Sequence, residues 1–248
     1  MNLVKIKGVV SSNKITSFIA ERILDGYTYV RKKITGSYTK NKEDIIVLEF
    51  LKQCTNKPVQ KLRYIDIGAN HYKRGNNSYL FYENGARGIL VEADPLLCEK
   101  LRKNRQEDKI VNVAIGGGIK SVPFYVLSLP TRSSMDQAHV ESSVKAGLSV
   151  KKIIDIPCMN INDLLDKHNY EPDYLSIDIE GMDYLALRML DFKKHKIKII
   201  VAERTSELNE KGESMDIYMK GQGYDVYRYC GSNVIYCLNS LQKRRKQD

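Results

Sequence analysis

The chain has 248 residues, 42% hydrophobic and 28% charged, the composition of an ordinary globular protein. No run of about 18 uncharged apolar residues occurs, which excludes a membrane-spanning helix, and the length fits one large α/β domain with an appendage. The formal charge of +10 favours polyanionic partners such as nucleic acid, nucleotide-linked sugars or an anionic membrane face. Part of that excess sits in the tail Lys243-Arg244-Arg245-Lys246, expected as a solvated basic end over residues 242–248. The five cysteines (Cys54, Cys98, Cys158, Cys230 and Cys237) contain no Cys-x-x-Cys pair, so neither a zinc site nor a disulfide framework is indicated. Free thiols in a reducing cytoplasm are expected. At the N-terminus, Met1 to Lys7 scatters lysines among apolar residues and lacks the apolar core of a secretory signal.

In chain order, Ile15, Phe18, Ile19, Ile23, Tyr27, Val30 and Ile34 recur at three- and four-residue steps and predict one helix face over 14–34. Gly26 is expected to weaken or split it. A second helix is predicted from Lys42 to Cys54. Residues 1–60 thus form a helical N-terminal extension, with two roles open: capping the cofactor domain or mediating a homodimer. From residue 62 the pattern changes to short apolar strands, at 62–67, 87–92, 110–115, 173–178 and 197–203, with helices at 77–84 and 95–104 between the first of them. Strands alternating with helices predict a mostly parallel, doubly wound sheet. Segments 224–229 and 233–238 flank Gly231-Ser232 and read as a C-terminal antiparallel hairpin. That ending marks the methyltransferase version of the architecture over the dehydrogenase version. Between 116 and 160 the periodicity fails, apart from an edge strand at 122–127. Residues 130–149 are expected as either a lid or a surface excursion.

The candidate site follows from the strand ends. Asp66-Ile67-Gly68-Ala69-Asn70 closes the first strand with a thin turn, and Glu92 closes the second. A glycine turn admits the ligand to the backbone, and an acid on the next strand accepts hydrogen bonds from two ribose hydroxyls. The dinucleotide fingerprint is absent, because Asn70 and Lys73 stand where it needs glycine. This argues against a pyrophosphate ligand and for S-adenosylmethionine, which has no phosphate. Val113 and Ala114 at the end of the third strand are placed to line the adenine. Asp178 ends the fourth strand, where it is expected to take the proton of an attacking hydroxyl. Its alternative is binding the cofactor amine. Glu180-Gly181 then turns into a helix over 182–190, with Asp183 as a first-turn charge. Glu203 ends the fifth strand, so a divalent metal between Asp178 and Glu203 is conceivable but not favoured. His71 is a reserve base. His139, His168 and His195 are expected at the surface.

These residues resemble the FkbM family of S-adenosylmethionine-dependent methyltransferases, which are class I Rossmann-like enzymes. The resemblance is carried by residues 66–70, Val91-Glu92-Ala93-Asp94-Pro95, Val113 to Gly116, Leu175 to Gly181, Ile200 to Glu203, the stretch 156–165 and Gly223-Tyr224. It covers about residues 62 to 238, so the cofactor domain is set at 61–241. It implies that Asp66, Gly68, Asn70, Glu92 and Ala114 hold the cofactor, joined by the neighbouring Ala69, Ala93 and Val113, with Asp178 and Glu180 at the transfer site. It also implies O-methylation, often of sugar hydroxyls. Many members have glycine two residues after the Asn of the turn, whereas this chain has Tyr72. Two rivals stand beside this reading. One is an RNA ribose 2′-O-methyltransferase, suggested by the net charge, although the lysine such an enzyme needs is hard to place. The other is a non-catalytic cofactor-binding partner protein.

Overall fold

The computed structural model describes residues 14–204, 208 and 211–245, and side chains from residue 21 to 242. The expected N-terminal segment 1–13 and the last residues of the basic tail, 246–248, lie outside the described residues. The tail's earlier residues fall in a terminal helix, Asn239–Arg245.

Two helices open the described chain, α1 (Lys14–Thr35) and α2 (Glu43–Cys54). Gly26 does not split α1: the helix runs unbroken through it, since a single glycine costs only about 1 kcal/mol relative to alanine. The described part of the apolar stripe read from the sequence is turned to solvent. Ile23, Tyr27, Val30 and Ile34 are exposed, Ile34 by 78%, while Leu24 and Thr28 are buried. Helix α2 is a true layer of the fold. Its Val47, Phe50 and Leu51 are buried with Tyr64, Tyr174 and Ile235 of the sheet.

The main sheet has seven strands. Five are parallel neighbours: β1 (Arg63–Ile67), with β2 (Arg87–Val91) and β3 (Lys109–Val111) on one side and, on the other, a later strand, Tyr174–Ile177, followed by Ile199–Glu203. After β3 come β4 (Ala114–Ile115), β5 (Ser121–Leu127) and β6 (Val150–Met159), so that later strand is β7. Then follow β8 (Ile199–Glu203), β9 (Tyr224–Cys230) and β10 (Asn233–Leu238). The order across the sheet is β3-β2-β1-β7-β8-β10-β9, with β10 antiparallel to both of its neighbours. The expected C-terminal hairpin is present, and its second strand is inserted between β8 and β9. The chain direction of winding reverses between β1 and β7, and open sheets of this kind bind ligands at that point.

Alternate residues of the central strands serve two cores. Ile65, Ile67, Ile89, Val91, Leu175 and Ile177 pack on one face, and Tyr64, Leu90 and Tyr174 on the other. This is why these strands read as continuous apolar runs. The helices α3 (Tyr79–Glu83) and α4 (Pro95–Asn104) complete the first half. Asp94 caps α4 by accepting the Leu96 amide at 2.8 Å, with Pro95 in the first turn.

Two segments depart from expectation. The single strand predicted at 110–115 is two, β3 and β4, split at Asn112, whose side chain donates to the carbonyls of Glu92 and Ala93 at 2.9 and 2.8 Å. Residues 116–160 are more regular than expected. The edge strand is present as β5, and β6 pairs antiparallel with it and parallel with β4 to make a second sheet, with a helix α5 (Gln137–Lys145) between β5 and β6. The remaining helices are α6 (Ile161–Lys167), α7 (Asp183–Met189), α8 (Met215–Gly221) and α9 (Asn239–Arg245).

Candidate active site

The turn after β1 is built by close approach. A Cβ on Gly68 would lie 1.9 Å from the Asp178 carbonyl oxygen, and Gly68 has a φ of +82°, so glycine is required on both counts. The amides of Gly68 and Ala69 donate to the Val91 carbonyl at 2.9 and 3.1 Å, and the Asp178 amide donates to the Ile67 carbonyl at 2.9 Å. Three strand ends are thereby fixed relative to one another. Asn70 takes a left-handed φ of +50°, which asparagine tolerates better than most side chains.

Glu92 is buried at the end of β2. Its carboxylate accepts the Asn70 amide at 2.8 Å and the Asp94 amide at 2.9 Å. Burial outweighs these bonds and pushes its pKa up to about 7. Asp66 is also buried, but its carboxylate is engaged by Ser78 Oγ at 2.7 Å and Asn76 Nδ2 at 3.1 Å. Burial raises its pKa as well. The loop carrying these partners is pinned by Arg105, a fully buried guanidinium. Arg105 donates to Asp108, to the Tyr64 hydroxyl at 2.9 Å, to the Tyr72 carbonyl at 3.0 Å and to Asn76 Oδ1 at 3.2 Å. Sequence reasoning missed Asn76, Ser78 and Arg105. The polar run Asn76-Asn77-Ser78 before a helix was a readable cap-like signal, whereas nothing local marked Arg105.

Gly68, Asn70, Glu92, Ala93, Val113 and Ala114 line one crevice, whose empty space, mouth included, is about 600 Å³. Ile115, Phe124 and Met135 make its far wall apolar. The segment 130–135, part of the predicted lid-or-excursion region, forms its roof. A second, wider chamber opens beside it, with about 1620 Å³ of empty space including its mouth. Asp66, Ala69 and His71 line this chamber and not the first crevice. Gly68, Asn70, Leu97, Pro130, Thr131, Asp178 and Glu180 line both, so the two spaces share a boundary that includes the acids.

Asp178 lies on that shared floor with its side chain open to the cavity. Protein surrounds the concave site, so burial and the charges of Glu203 and Asp66 still push its pKa up to about 7. Glu180 has a left-handed φ of +50°, and burial followed by Asp178 pushes its pKa up to about 8. Arg132 donates to Glu180 Oε2 at 2.7 Å but does not offset that burial. Ser134 Oγ donates to the Glu180 carbonyl at 2.9 Å. A Cβ on Gly181 would lie 2.6 Å from Asp136. The arm between β5 and α5 therefore clamps the 178–181 turn.

Other predicted residues fall differently. Asp183 is in the first turn of α7 but is buried, accepting the Ile179 amide at 3.3 Å and the Glu203 amide at 3.2 Å. It is a brace between β7 and β8, not an exposed helix charge. Glu203 lines neither space. Among the described residues, no group of three or more His, Cys, Asp or Glu side chains is arranged to hold a metal ion. His139 is not a surface residue: its Nε2 lies 3.5 Å from Glu180 Oε2. His195 is buried too, and His168 is half-buried beside Lys109. His71 Nδ1 accepts the amides of Lys73 and Arg74 at 3.1 and 2.9 Å, so Nε2 carries the ring hydrogen. Burial and the charges of Arg74, Lys100 and Lys73 hold its pKa down to about 3. In this setting the ring is a donor and a poor base.

The Methyltransferase FkbM domain model matches residues 66–226, more than half of the chain. No curated protein matches the sequence. Among solved structures, the methyltransferase FkbM from Methylobacillus flagellatus KT is 13% identical with a TM-score of 0.43, and the match covers 89% of this chain and 60% of that one. This chain thus spans well under the full length of that protein. An O-methyltransferase from Bacillus cereus, solved in complex with SAH, is 12% identical with a TM-score of 0.38, over 87% of this chain and 99% of that one. A putative RNA methyltransferase from Pyrococcus horikoshii is 11% identical with a TM-score of 0.38, over 78% and 84%. The matched span begins at Asp66 and runs through every strand end of the crevice, and the chain belongs to the FkbM methyltransferase family.

Proposed function

We propose that this S-adenosylmethionine-dependent methyltransferase acts on a hydroxyl of a sugar or other small or glycan acceptor, as in polysaccharide biosynthesis. The residues present fit the cofactor. Glu92 offers a buried carboxylate for ribose hydroxyls, and Ala93, Val113 and Ala114 offer a small apolar wall for adenine. Gly68, Asn70 and the acids at 178 and 180 surround the remaining part. When bound, S-adenosylmethionine supplies a methyl carbon made electrophilic by its sulfonium. The protein then has mainly to position the acceptor oxygen and accept its proton.

The observation that carries this reading is the placement of Asp178. It lines both spaces and holds a pKa near neutrality, as a general base operating near pH 7 requires. Glu180 is its neighbour, and Arg132 donates to Glu180. His71, as a donor, is read as an acceptor contact. In Asp178→Ala we expect affinity for S-adenosylhomocysteine to stay within about tenfold while most turnover disappears. An unchanged rate with any acceptor found would retire the assignment. Labelled S-adenosylmethionine incubated with fractionated glycans and RNA identifies the acceptor, and labelling confined to RNA would favour the ribose reading that the +10 charge suggests. Label in no fraction, with cofactor still bound, would favour a non-catalytic partner protein. The exposed stripe Ile23, Tyr27, Val30 and Ile34 supports a homodimer through α1. The buried or half-buried free thiols fit a reducing cytoplasm.

A further inference from the structure

The wider chamber is lined by charges of both signs. Asp66, Asp178 and Glu180 line it from the strand ends, and His71, Arg74 and Lys100 line it together with Glu21 of α1. We propose that the acceptor carries an anionic oxyacid group, a carboxylate or a phosphate, which the His71 ring N–H, Arg74 and Lys100 receive while its hydroxyl lies at Asp178. Glu21 and Asp25 of α1 stand in for that group when the acceptor is absent. This rests on the hydroxyl-methylation reading above and names its substrate class.

Three observations support it. First, the His71 ring is fixed as a donor, because both amides that follow it in the loop occupy Nδ1. Second, Arg74 Nη1 is buried and has no hydrogen-bond acceptor. The nearest acid oxygen, on Asp25, is 3.6 Å away, beyond hydrogen-bond reach. An unanswered buried guanidinium N–H is costly and invites an anion. Third, the partners of the two cations come from outside the cofactor domain. Lys100 pairs with Glu21 at 2.8 Å, and Arg74 faces Asp25. All four side chains keep substantial exposure, from 25% for Arg74 to 53% for Lys100. Exposed pairs of this kind are weak and exchangeable. A cationic cluster with replaceable carboxylates is what an anionic ligand needs.

The test uses the full chain saturated with S-adenosylhomocysteine, whose binding is read first. Failure of that binding counts against the cofactor reading and leaves this proposal's own readout separate. Glucuronate, glucose 6-phosphate and neutral glucose are then titrated, following heat and the proton signal of the His71 side chain. One or both anionic sugars should bind and shift that signal, while glucose should not. Binding of only one identifies the group as a carboxylate or as a phosphate. Arg74→Gln should weaken the anionic sugar at least about tenfold, and Asp25→Asn should tighten it several-fold, because it removes the competing carboxylate. A merely structural pair would lose in both variants. The proposal is overturned if neither anionic sugar binds, if glucose binds equally well, if Asp25→Asn weakens or fails to change binding, or if single-stranded RNA binds more tightly than either sugar.

Discussion

Glu92 and Asp66 are both buried acids at the ends of neighbouring strands, yet their partners separate them. The hydrogen bonds to Asp66 come from Ser78 and Asn76, side chains of the loop it organises. Those to Glu92 come from two backbone amides, and its oxygens border the crevice. Glu92 faces the crevice, where a ligand can draw on its charge. Ribose hydroxyls donate better to a carboxylate than to a carboxylic acid, and the Glu92 pKa stands at about 7 before any ligand arrives. Cofactor affinity should therefore rise as pH increases from about 6 to about 8 and level off above. Hydrogen bonds to a charged group are worth about 1.5–3 kcal/mol, so Glu92→Gln should weaken S-adenosylhomocysteine binding roughly ten- to a hundredfold. It should also remove part of the pH slope, leaving the part that Asp178 and Glu180 contribute. Calorimetric titration at several pH values checks both, and a variant with wild-type affinity would mean that the ribose lies elsewhere.

At the scale of elements, the β5–α5–β6 arm and the turn at 178–181 act as one unit. Arg132 comes from the arm, and its charge lowers the pKa of Asp178, Glu180 and Glu203 together, against the burial that raises them. Removing it should raise the pKa of the proton acceptor. In Arg132→Gln the acid limb of the kcat–pH profile should move to higher pH, with little change in the rate at the alkaline plateau. A profile that scales down without moving would assign Arg132 to packing alone. This arm was also the part least readable in the sequence. Of the ten residues of β6 only Ile156 is fully buried, with Ile154 and Cys158 partly so, and this short alternation follows four exposed residues. β1, β2 and β7 were readable because both faces of each are covered and the apolar run is continuous. Helix α1 was readable as a helix but not by face, since its strongest stripe is the one left in solvent. In the site, Gly68, Asn70, Glu92 and Asp178 announced themselves through backbone demands and strand ends. Arg105 and Arg132 did not: Arg105 pairs with Asp108 three residues on, but its partners Tyr64 and Tyr72 lie far along the chain, as does Glu180 from Arg132.

Across the whole molecule, the acids of the strand ends share one edge, and that crowding has a thermodynamic consequence. Burial raises the pKa of Asp66, Glu92, Asp178, Glu180, Asp183 and Glu203. It pushes Glu92 up to about 7, Asp178 up to about 7 and Glu180 up to about 8. Each group binds its proton more tightly folded than unfolded. Its stabilising contribution is full below the ordinary carboxylate range and is lost as pH rises through the folded value. His71 acts in the opposite sense. Its imidazole is held down to about 3 in the fold, so the unfolded chain takes up that proton first as pH falls below about 6.5. Below that pH the two effects oppose each other, and above it the acids act unopposed by the histidine. The melting temperature of the ligand-free protein should therefore fall between about pH 6.5 and about pH 8.5. Glu180→Gln removes the acid that is pushed up to about 8 and should flatten the upper part of that fall. A melting temperature that rises over this window would mean that the acids ionise freely, and the crowded edge would no longer account for a base poised near neutrality.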